Sequence, residues 1–162
     1  MAELRPPIWQ CLPFAEVPAL TLYRALALRS SVFVVEQQCL YQDLDGSDPH
    51  GWLVIGSLEP ADAVQEVIAT ARMLAPGLRF AEPSIGRVCT AASHRRQGLG
   101  KLLMTFAIQC TRERHPGLVI RISAQAYLQA FYEALGFEAA SPFYLEDGIG
   151  HVEMLLPPGK RA

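Results

Sequence analysis

The chain has 162 residues, of which 51% are hydrophobic, and its 14 basic and 16 acidic residues give a formal charge of -2. This length and composition suffice for one domain whose core needs no disulfide or metal. The near-neutral charge excludes the global positive field that draws proteins to nucleic acids or anionic membranes, so any bound anion must be held by a local patch.

The four cysteines form no C-x-x-C pair and lie far from the histidines in sequence, which suggests neither a zinc site nor a redox motif. The N-terminus has no continuous apolar segment, and no window approaches the roughly 20 apolar residues that cross a bilayer. We therefore expect a cytoplasmic protein with no signal peptide, membrane span or bound metal.

The N-terminal part predicts a long helix followed by an acidic loop. Pro18 lies at the helix start, and apolar residues recur at helical spacing over 20–34, with a break expected near Val32. Residues 41–51 contain three aspartates, one proline and two glycines, which is typical of a turn-rich loop.

The middle of the chain predicts a hairpin and then a β-α-β unit. Strand-like segments at 52–58 and 64–74 are separated by a Pro-Ala-Asp turn. Residues 85–124 then combine a β-rich segment, a glycine loop, an amphipathic helix that ends before a Pro-Gly pair, and an alternating strand at 118–124.

The C-terminal part predicts a short helix at 128–135 that ends at Gly136, and two closing strands near 137–145 and 150–156 around a Glu-Asp-Gly turn. The closing strands could also pair across a two-fold axis, which leaves a homodimer open.

The elements together predict a single domain over 1–156 with a solvated tail at 157–162. The expected fold class is α/β (α+β), with a mixed, mostly antiparallel twisted sheet of about six to seven strands, about four flanking helices and one parallel crossover.

The glycine loop carries the strongest chemical signal, because glycines that lead from a strand into a helix expose backbone amides at the positive end of the helix dipole and suit phosphates. A Walker loop fails at Arg95 and Leu102, and a dinucleotide fingerprint fails at Leu103. A plain helix N-terminus is the alternative reading. The loop reads Arg95-Arg96-Gln97-Gly98-Leu99-Gly100.

A second motif, Phe131-Tyr132-Glu133-Ala134-Leu135-Gly136-Phe137, follows this loop, and Val88-Cys89-Thr90 precedes it. Together with the loop 95–100, and at the separation expected of them, these segments resemble the acetyl-CoA motifs of the GNAT superfamily of N-acyltransferases. The resemblance covers about residues 20–156 in element order. Segments at 28–37, 41–43 and 124–129 resemble the narrower ElaA-like group.

This resemblance implies that strands 4 and 5 are parallel and splayed, and that the pantetheine arm of acetyl-CoA or coenzyme A enters the gap between them. The pyrophosphate would then lie on the loop amides, and Gln125, where many relatives have asparagine, would still bind the pantetheine. The implied cofactor-binding residues are Val88, Cys89, Thr90, Arg95, Arg96, Gln97, Gly98, Leu99, Gly100, Lys101, Gln125 and Tyr132.

Aminolysis of a thioester needs a donor to the carbonyl oxygen, a proton for the departing thiolate and a neutral amine. A bulge near 88–90 would leave a backbone donor unpaired. Tyr132 is the expected general acid, since a phenol of pKa about 10 can protonate a thiolate. Alternatively, Tyr132 only packs over the cofactor sulfur.

Glu36 and His151 are the candidate general bases, although each could instead have a purely structural role. We expect Arg29, Glu36 and Asp43 to face the substrate, with the acidic loop steering a cationic amine; a solvated turn is the alternative. The three cations Arg95, Arg96 and Lys101 lack interleaved aromatic residues, so they do not suggest a nucleic-acid patch.

These observations predict an N-acetyltransferase that moves an acetyl group from acetyl-CoA to a primary amine within a ternary complex, with acetyl-CoA and the amine as partners and no role for nucleic acid or membrane. A catalytically silent acyl-CoA sensor or scaffold is the alternative from another class. An interaction domain without cofactor is a third, and it predicts no stabilisation by coenzyme A.

Overall fold

A computed structural model of the protein describes residues 6–59 and 65–159. Eight strands form one sheet in the order β1-β2-β3-β4-β5-β8-β6, and β7 also pairs with β8. Neighbouring strands are antiparallel except β4 and β5. The strands are β1 Ile8–Pro13, β2 Trp52–Leu58, β3 Glu66–Leu74, β4 Ser84–Thr90, β5 Ile120–Gln125, β6 Glu138–Ala139, β7 Tyr144–Glu146 and β8 Ile149–Leu156.

Three α-helices flank the sheet: α1 Ala19–Arg29, α2 Leu99–Arg114 and α3 Gln129–Glu133. Pro18 is the N-cap of α1, as expected. The long first helix does not simply break; it widens after Arg29 into a π-helical segment, Ser30–Glu36. A π-helical turn of this kind is common at functional sites, and here it turns Phe33 inward while Glu36 stays exposed.

The mixed fold with one parallel pair is confirmed, and the remaining differences lie at short elements. The helix expected over 128–135 contains only the five residues of α3, preceded by a 3₁₀ turn. The strand expected over 137–145 is wrong as one element, because residues 140–143 belong to no strand and only its two ends, β6 and β7, pair with β8. Pro142, which has no backbone N–H to donate, lies in that gap. The Pro-Ala-Asp turn lies outside the described residues.

The β7–β8 connection is a tight hairpin, as the Glu-Asp-Gly turn predicts. Glu146 pairs with Ile149, and the two residues between them, Asp147 and Gly148, have φ of 51° and 76°. Two successive positive φ angles are the requirement of the type I′ turn, and Asp-Gly is a favoured sequence for it.

The sheet separates two cores and leaves one polar surface. On one face α2 packs mainly on β2, β3 and β4, in an apolar cluster that extends to Ile122 of β5 and Met154 of β8. On the other face α1 packs mainly on β3, in a cluster that includes Ala25 and Ile55. Residues of β5 alternate strictly, so its polar residues point away from α2. Those polar residues form one wall of the cavity described below.

Among the described residues, no helix has the length and apolar character needed to span a bilayer. Within the same ranges, 6–59 and 65–159, no group of three or more histidine, cysteine, aspartate or glutamate side chains is arranged to hold a metal ion.

Candidate active site

Strands β4 and β5 meet at one point and then diverge. Their single registered pair is Ser84 with Arg121, and the Arg121 amide donates to the Pro83 carbonyl at 3.0 Å. Beyond that pair the facing edges of both strands are no longer joined, so an extended ligand could hydrogen-bond there as an added strand would. The splay implied by the resemblance is therefore present.

A β-bulge interrupts β4 beside this opening. Thr70 of β3 pairs with Cys89, but two residues further along β3, Arg72 pairs with Gly86, so β4 has one extra residue between the two pairs. Arg87 lies in that interval with φ of 52°. A bulge breaks the ladder locally and frees backbone groups from the neighbouring strand. The bulge was expected; its use as a donor to substrate stays a prediction.

The glycine loop enters α2 through two left-handed residues. Arg96 has φ of 60°, and Gly98, the N-cap of α2, has φ of 77°. The amides of the first helical turn have no partner within the helix and form the positive end of its dipole. Arg96, Gln97 and Lys101 are exposed, whereas the Leu99 side chain is buried in the core. Leu99 could therefore contribute only its amide to a phosphate.

Arg95 does not extend toward the phosphate position. Its guanidinium forms a bidentate pair with the Glu36 carboxylate, at 2.6 and 3.0 Å, and also donates to the Thr90 carbonyl. The pair ties the glycine loop to the π-helical segment. The hydrogen bond from Arg95 lowers the pKa of Glu36 below its usual value, so Glu36 is a weak proton acceptor.

Tyr132 is held at the inner wall of the cavity by two aromatic neighbours. The rings of Phe131 and Phe137 contact it edge-on, with centroids 5.0 and 5.9 Å away. The residue is only 6% exposed. Burial raises the pKa of its phenol above the ordinary value, so the hydroxyl stays protonated at neutral pH and can act as a donor.

Cys89 is buried against Val32 and Phe33 of the π-helical segment. Burial raises the pKa of its thiol to about 12. A thiol with such a pKa is not ionised at neutral pH and is a poor nucleophile. The contribution of Cys89 to a thioester site would therefore come from its backbone.

The polar face of β5 continues across β8 to β7. Gln125 pairs in register with His151, which pairs in turn with Tyr144. The Gln125 amide donates to the Gln37 side chain at 3.1 Å, which links β5 to the residue after the π-helical segment. His151 stacks on the Tyr144 ring with centroids 5.9 Å apart. Gln37, Gln125 and His151 line the cavity described below.

The tautomer of His151 follows from its surroundings. Nδ1 lies 2.8 Å from the Ile149 carbonyl oxygen, which can only accept, so Nδ1 carries the proton. In the neutral ring Nε2 is then a free acceptor, and it lies 3.8 Å from Glu146 Oε2. An imidazole with this tautomer is arranged to take up a proton at Nε2.

Ser123, Tyr144 and Glu146 were missed by sequence reasoning. The Ser123 and Tyr144 hydroxyls are 2.5 Å apart, and Ser123 also donates to Glu146 at 3.3 Å. Arg79 pairs with the second oxygen of Glu146 at 3.1 Å. The alternation of polar residues along β5 was the available signal for Ser123. The partners on β7 could not be placed, because that strand was not recognised as separate.

Arg29 and Asp43, which were expected to face the substrate, lie instead in a buried network of ion pairs. Arg29 is 1% exposed and contacts Asp43 at 3.0 Å and Asp48 at 2.5 Å. Neither Arg29 nor Asp43 is among the described residues that line the cavity. This burial argues against the expected contact of either side chain with an acceptor; their charges hold the acidic loop onto α1.

One cavity of about 590 Å³ joins these features. The residues from Arg96 to Lys101 lie outside its lining, and all of them except Leu99 and Gly100 are exposed. The site residues expected from the sequence that line the cavity are Glu36, Val88, Cys89, Thr90, Arg95, Gln125, Tyr132 and His151.

The arrangement fits a coenzyme A thioester. The diverging strands offer backbone for the pantetheine arm, and the first turn of α2 offers amides for the diphosphate. A Cβ built on Gly98 would meet nothing within 4 Å, so there is open space above the loop. Gly100 lies under the Phe131 ring, where a Cβ would be 3.7 Å from the nearest ring carbon.

Comparison with known proteins agrees with this geometry. The family described as "Acetyltransferase (GNAT) domain" matches residues 32–157. A UPF0039 protein of Synechocystis is 38% identical over 93% of this chain and 96% of its own, and the ElaA protein of Escherichia coli is 36% identical over 90% and 94%.

Two solved structures share the whole architecture. An acyl-CoA N-acyltransferase from Pseudomonas aeruginosa superimposes with a TM-score of 0.85 at 36% identity, and it covers 93% of this chain and 99% of its own. The crystal structure of Escherichia coli ElaA gives a TM-score of 0.83 at 35% identity with the same coverage. The chain belongs to the GNAT acetyltransferase family, among relatives that include ElaA and the UPF0039 proteins.

Proposed function

We propose that this protein transfers an acetyl group from acetyl-CoA directly to a primary amine. The observation that carries the proposal is that the bulge in β4, a buried protonated Tyr132 and the imidazole of His151 line one cavity between the diverging strands. A thioester held in that gap would meet a carbonyl donor, a proton donor and a proton acceptor.

The cofactor end would bind by backbone. Pantetheine would pair with the free edges of β4 and β5, and the diphosphate would take the amides of residues 96–101. Arg96 and Lys101, both exposed, would add positive charge to that surface. Arg95 would act indirectly, by holding the loop against Glu36 and Thr90.

Tyr132 would donate its proton to the sulfur as the C–S bond breaks. Its raised pKa keeps the proton on the phenol until the thiolate forms, and the two flanking rings hold the hydroxyl in one place. A bulge amide of β4 would stabilise the carbonyl oxygen while it gains charge.

His151 is the better candidate for the base. A protonated amine must lose a proton before its nitrogen attacks the thioester carbon, and Nε2 of the neutral His151 ring is a free acceptor. Glu36 has a lowered pKa and is already paired with Arg95, so it is less suited to the role. The amine nitrogen then bonds to the thioester carbon and the C–S bond breaks. The sulfur leaves as the thiol of coenzyme A with the proton of Tyr132, the second proton of the amine nitrogen restores the phenol, and His151 releases the first proton to solvent.

The transfer would be direct and would involve no acyl-enzyme. Cys89 is the cysteine nearest the proposed donor amide in sequence, and its buried, neutral thiol is a poor nucleophile. Attack by the amine on bound thioester requires both substrates in the cavity at once, which is a ternary complex.

Two measurements on the purified protein test the proposal. Thiol release from acetyl-CoA is followed with a panel of primary alkylamines, polyamines, peptides with free N-termini and lysine peptides. The melting temperature is measured with and without coenzyme A. We expect a cofactor-dependent rise in melting temperature and turnover with at least one amine class. The absence of both thiol release and a thermal shift would contradict the proposal.

A further inference from the structure

The bulge in β4 contains a residue in an unusual conformation. Arg87 has φ of 52°, in the left-handed region, where the Cβ of an L-residue crowds the backbone and where bulges of this kind usually have glycine. A glycine, Gly86, is present but lies one position earlier. An arginine at the strained position therefore needs a compensating interaction.

The Arg87 guanidinium supplies that interaction by reaching into the acidic loop. Its Nε forms an ion pair with Asp43 Oδ1 at 2.8 Å, and its Nη2 donates to the Asp43 carbonyl and to Asp45 Oδ2, each at 3.2 Å. The Tyr41 ring packs against the guanidinium, with its centroid 5.3 Å from Cζ. These contacts hold the side chain of the bulged residue from several directions.

The loop that receives Arg87 is itself fixed to the core. Arg29 of α1 binds Asp43 and Asp48. Arg72 of β3, which is 2% exposed, binds Asp45 through both of its terminal nitrogens, at 2.7 and 3.0 Å. Three arginines and three aspartates thus form one network in which Arg87 is the member attached to the bulge.

We propose that Arg87 is a positioning residue that aims the bulge amide at the thioester carbonyl. The peptide unit between Arg87 and Val88 carries the Val88 N–H, and its orientation depends on the backbone torsions of these two residues. Anchoring the Arg87 side chain to a rigid loop restricts those torsions. The inference depends on the proposed function, because only a bound thioester gives the amide a target.

The effect should be on chemistry and should leave cofactor affinity unchanged. Removing one hydrogen-bond donor to the carbonyl costs about two to three orders of magnitude in turnover. The Arg87 variants keep the Val88 N–H and lose only its orientation, so kcat should fall by less, roughly tenfold to a hundredfold. The KM for acetyl-CoA should change by less than about twofold, because the pantetheine and diphosphate contacts lie elsewhere.

Arg87→Gly is the informative variant, since it relieves the strained φ while removing the anchor. Asp43 and Asp45 keep Arg29 and Arg72 as partners, so no aspartate is left without a cation. Arg87→Lys keeps the charge but loses the forked geometry. Arg121→Gln is the matched control, because it removes an arginine with two acidic partners, Glu82 and Glu153, from the neighbouring strand.

The test is the infrared band of the thioester carbonyl in acetyl-CoA labelled with a heavy carbon isotope at that position, bound to each variant. In the wild type and in Arg121→Gln we expect the band to shift to lower frequency on binding, as a hydrogen-bonded carbonyl does. Arg87→Gly should lose most of that shift together with the kcat, and Arg87→Lys should recover part of both. Asp45→Asn should lose part of the shift, because it removes one partner of Arg87.

The outcomes separate this inference from the proposed function. A wild-type protein that does not bind acetyl-CoA would refute the proposed function and this inference with it. A wild-type shift that Arg87→Gly retains, with kcat unchanged, would refute the positioning role alone. Melting temperatures of all variants verify that each one is folded before its spectrum is compared.

Discussion

The proposed phosphate site is built from backbone, whereas the proposed acceptor side of the cavity is built from side chains that meet across long distances in sequence. The glycine loop and the first turn of α2 lie within a few residues of one another. At the other end, Gln125 meets Gln37 from 88 residues away and Arg95 meets Glu36 from 59. Backbone recognition is local and tolerates many side chains, so one family can keep a common cofactor site while its acceptor wall varies.

The largest loss of activity should come from a change at Tyr132, where the sulfur of the thioester would lie between the two ends. Tyr132→Phe removes one hydroxyl and keeps the ring that Phe131 and Phe137 hold. We expect kcat to fall by roughly two to four orders of magnitude, as for loss of a general acid, with the acetyl-CoA KM within about twofold of wild type. Steady-state thiol release measures both constants.

A retained kcat in Tyr132→Phe would mean that the phenol only packs over the sulfur. If the wild type has no turnover but is stabilised by coenzyme A, the protein is a sensor or scaffold, and the comparison of the two ends would then concern binding alone.

The acidic loop at 41–51 is held by buried charge, which Arg29→Met should reveal. Removing one partner from a buried ion-pair network costs about 3–5 kcal/mol in the free energy of unfolding, because Asp43 and Asp48 lose their shared cation. Arg121→Met is the control: its ion pairs are more exposed, and we expect a loss of about 0–1 kcal/mol. Urea unfolding of both variants measures the difference, and equal losses would contradict this view of the network.

The two candidate bases can be ranked by a pair of amide variants. His151→Gln removes the free Nε2 acceptor and should lower kcat/KM for the amine by roughly tenfold to a hundredfold at neutral pH. Glu36→Gln removes a carboxylate that is already paired with Arg95, and we expect less than about a threefold change. Initial rates at saturating acetyl-CoA measure both, and the reverse ranking would assign the base to Glu36.

The phosphate end can be tested at a single backbone position. Gly98→Ala and Gly77→Ala both place a Cβ at a positive φ, 77° and 86°, with nothing within 4 Å, so each should cost about 1 kcal/mol in stability. Gly98 alone belongs to the loop that would hold the diphosphate. We expect only Gly98→Ala to weaken coenzyme A binding, by a few-fold in calorimetry; equal affinity in both variants would move the phosphate site elsewhere.

Parts of the fold and site that depend on neighbouring residues were predicted well. The β-α-β unit around α2, the start of α1 at Pro18 and the β7–β8 turn follow from local patterns of apolar residues, proline and glycine. The divergence of β4 and β5 came from family resemblance, because no pattern within either strand specifies how far two strands separate.

Other features could not be read from the pattern. The π-helical segment Ser30–Glu36 has the same apolar spacing as an ordinary helix for most of its length, and in the fold its Val32 and Phe33 pack against Cys89, which is more than fifty residues away in sequence. The break between β6 and β7 leaves two pieces too short to show an alternation. Arg29 was expected at the substrate, and no local pattern shows that the loop with Asp43 and Asp48 folds onto its side chain.

The sequence alone determined the strand, the glycine turn and the amphipathic helix at the proposed cofactor end, because these three elements follow from local patterns of apolar residues and glycine. Only the tertiary structure decided which charges are available for chemistry. Arg29, Asp43 and Glu36 all have ionic partners from other elements, whereas Nε2 of His151 is left as an acceptor by its contact with the Ile149 carbonyl. The physical reason is that the availability of a charged group depends on its partners, and partners distant in sequence are chosen by the fold.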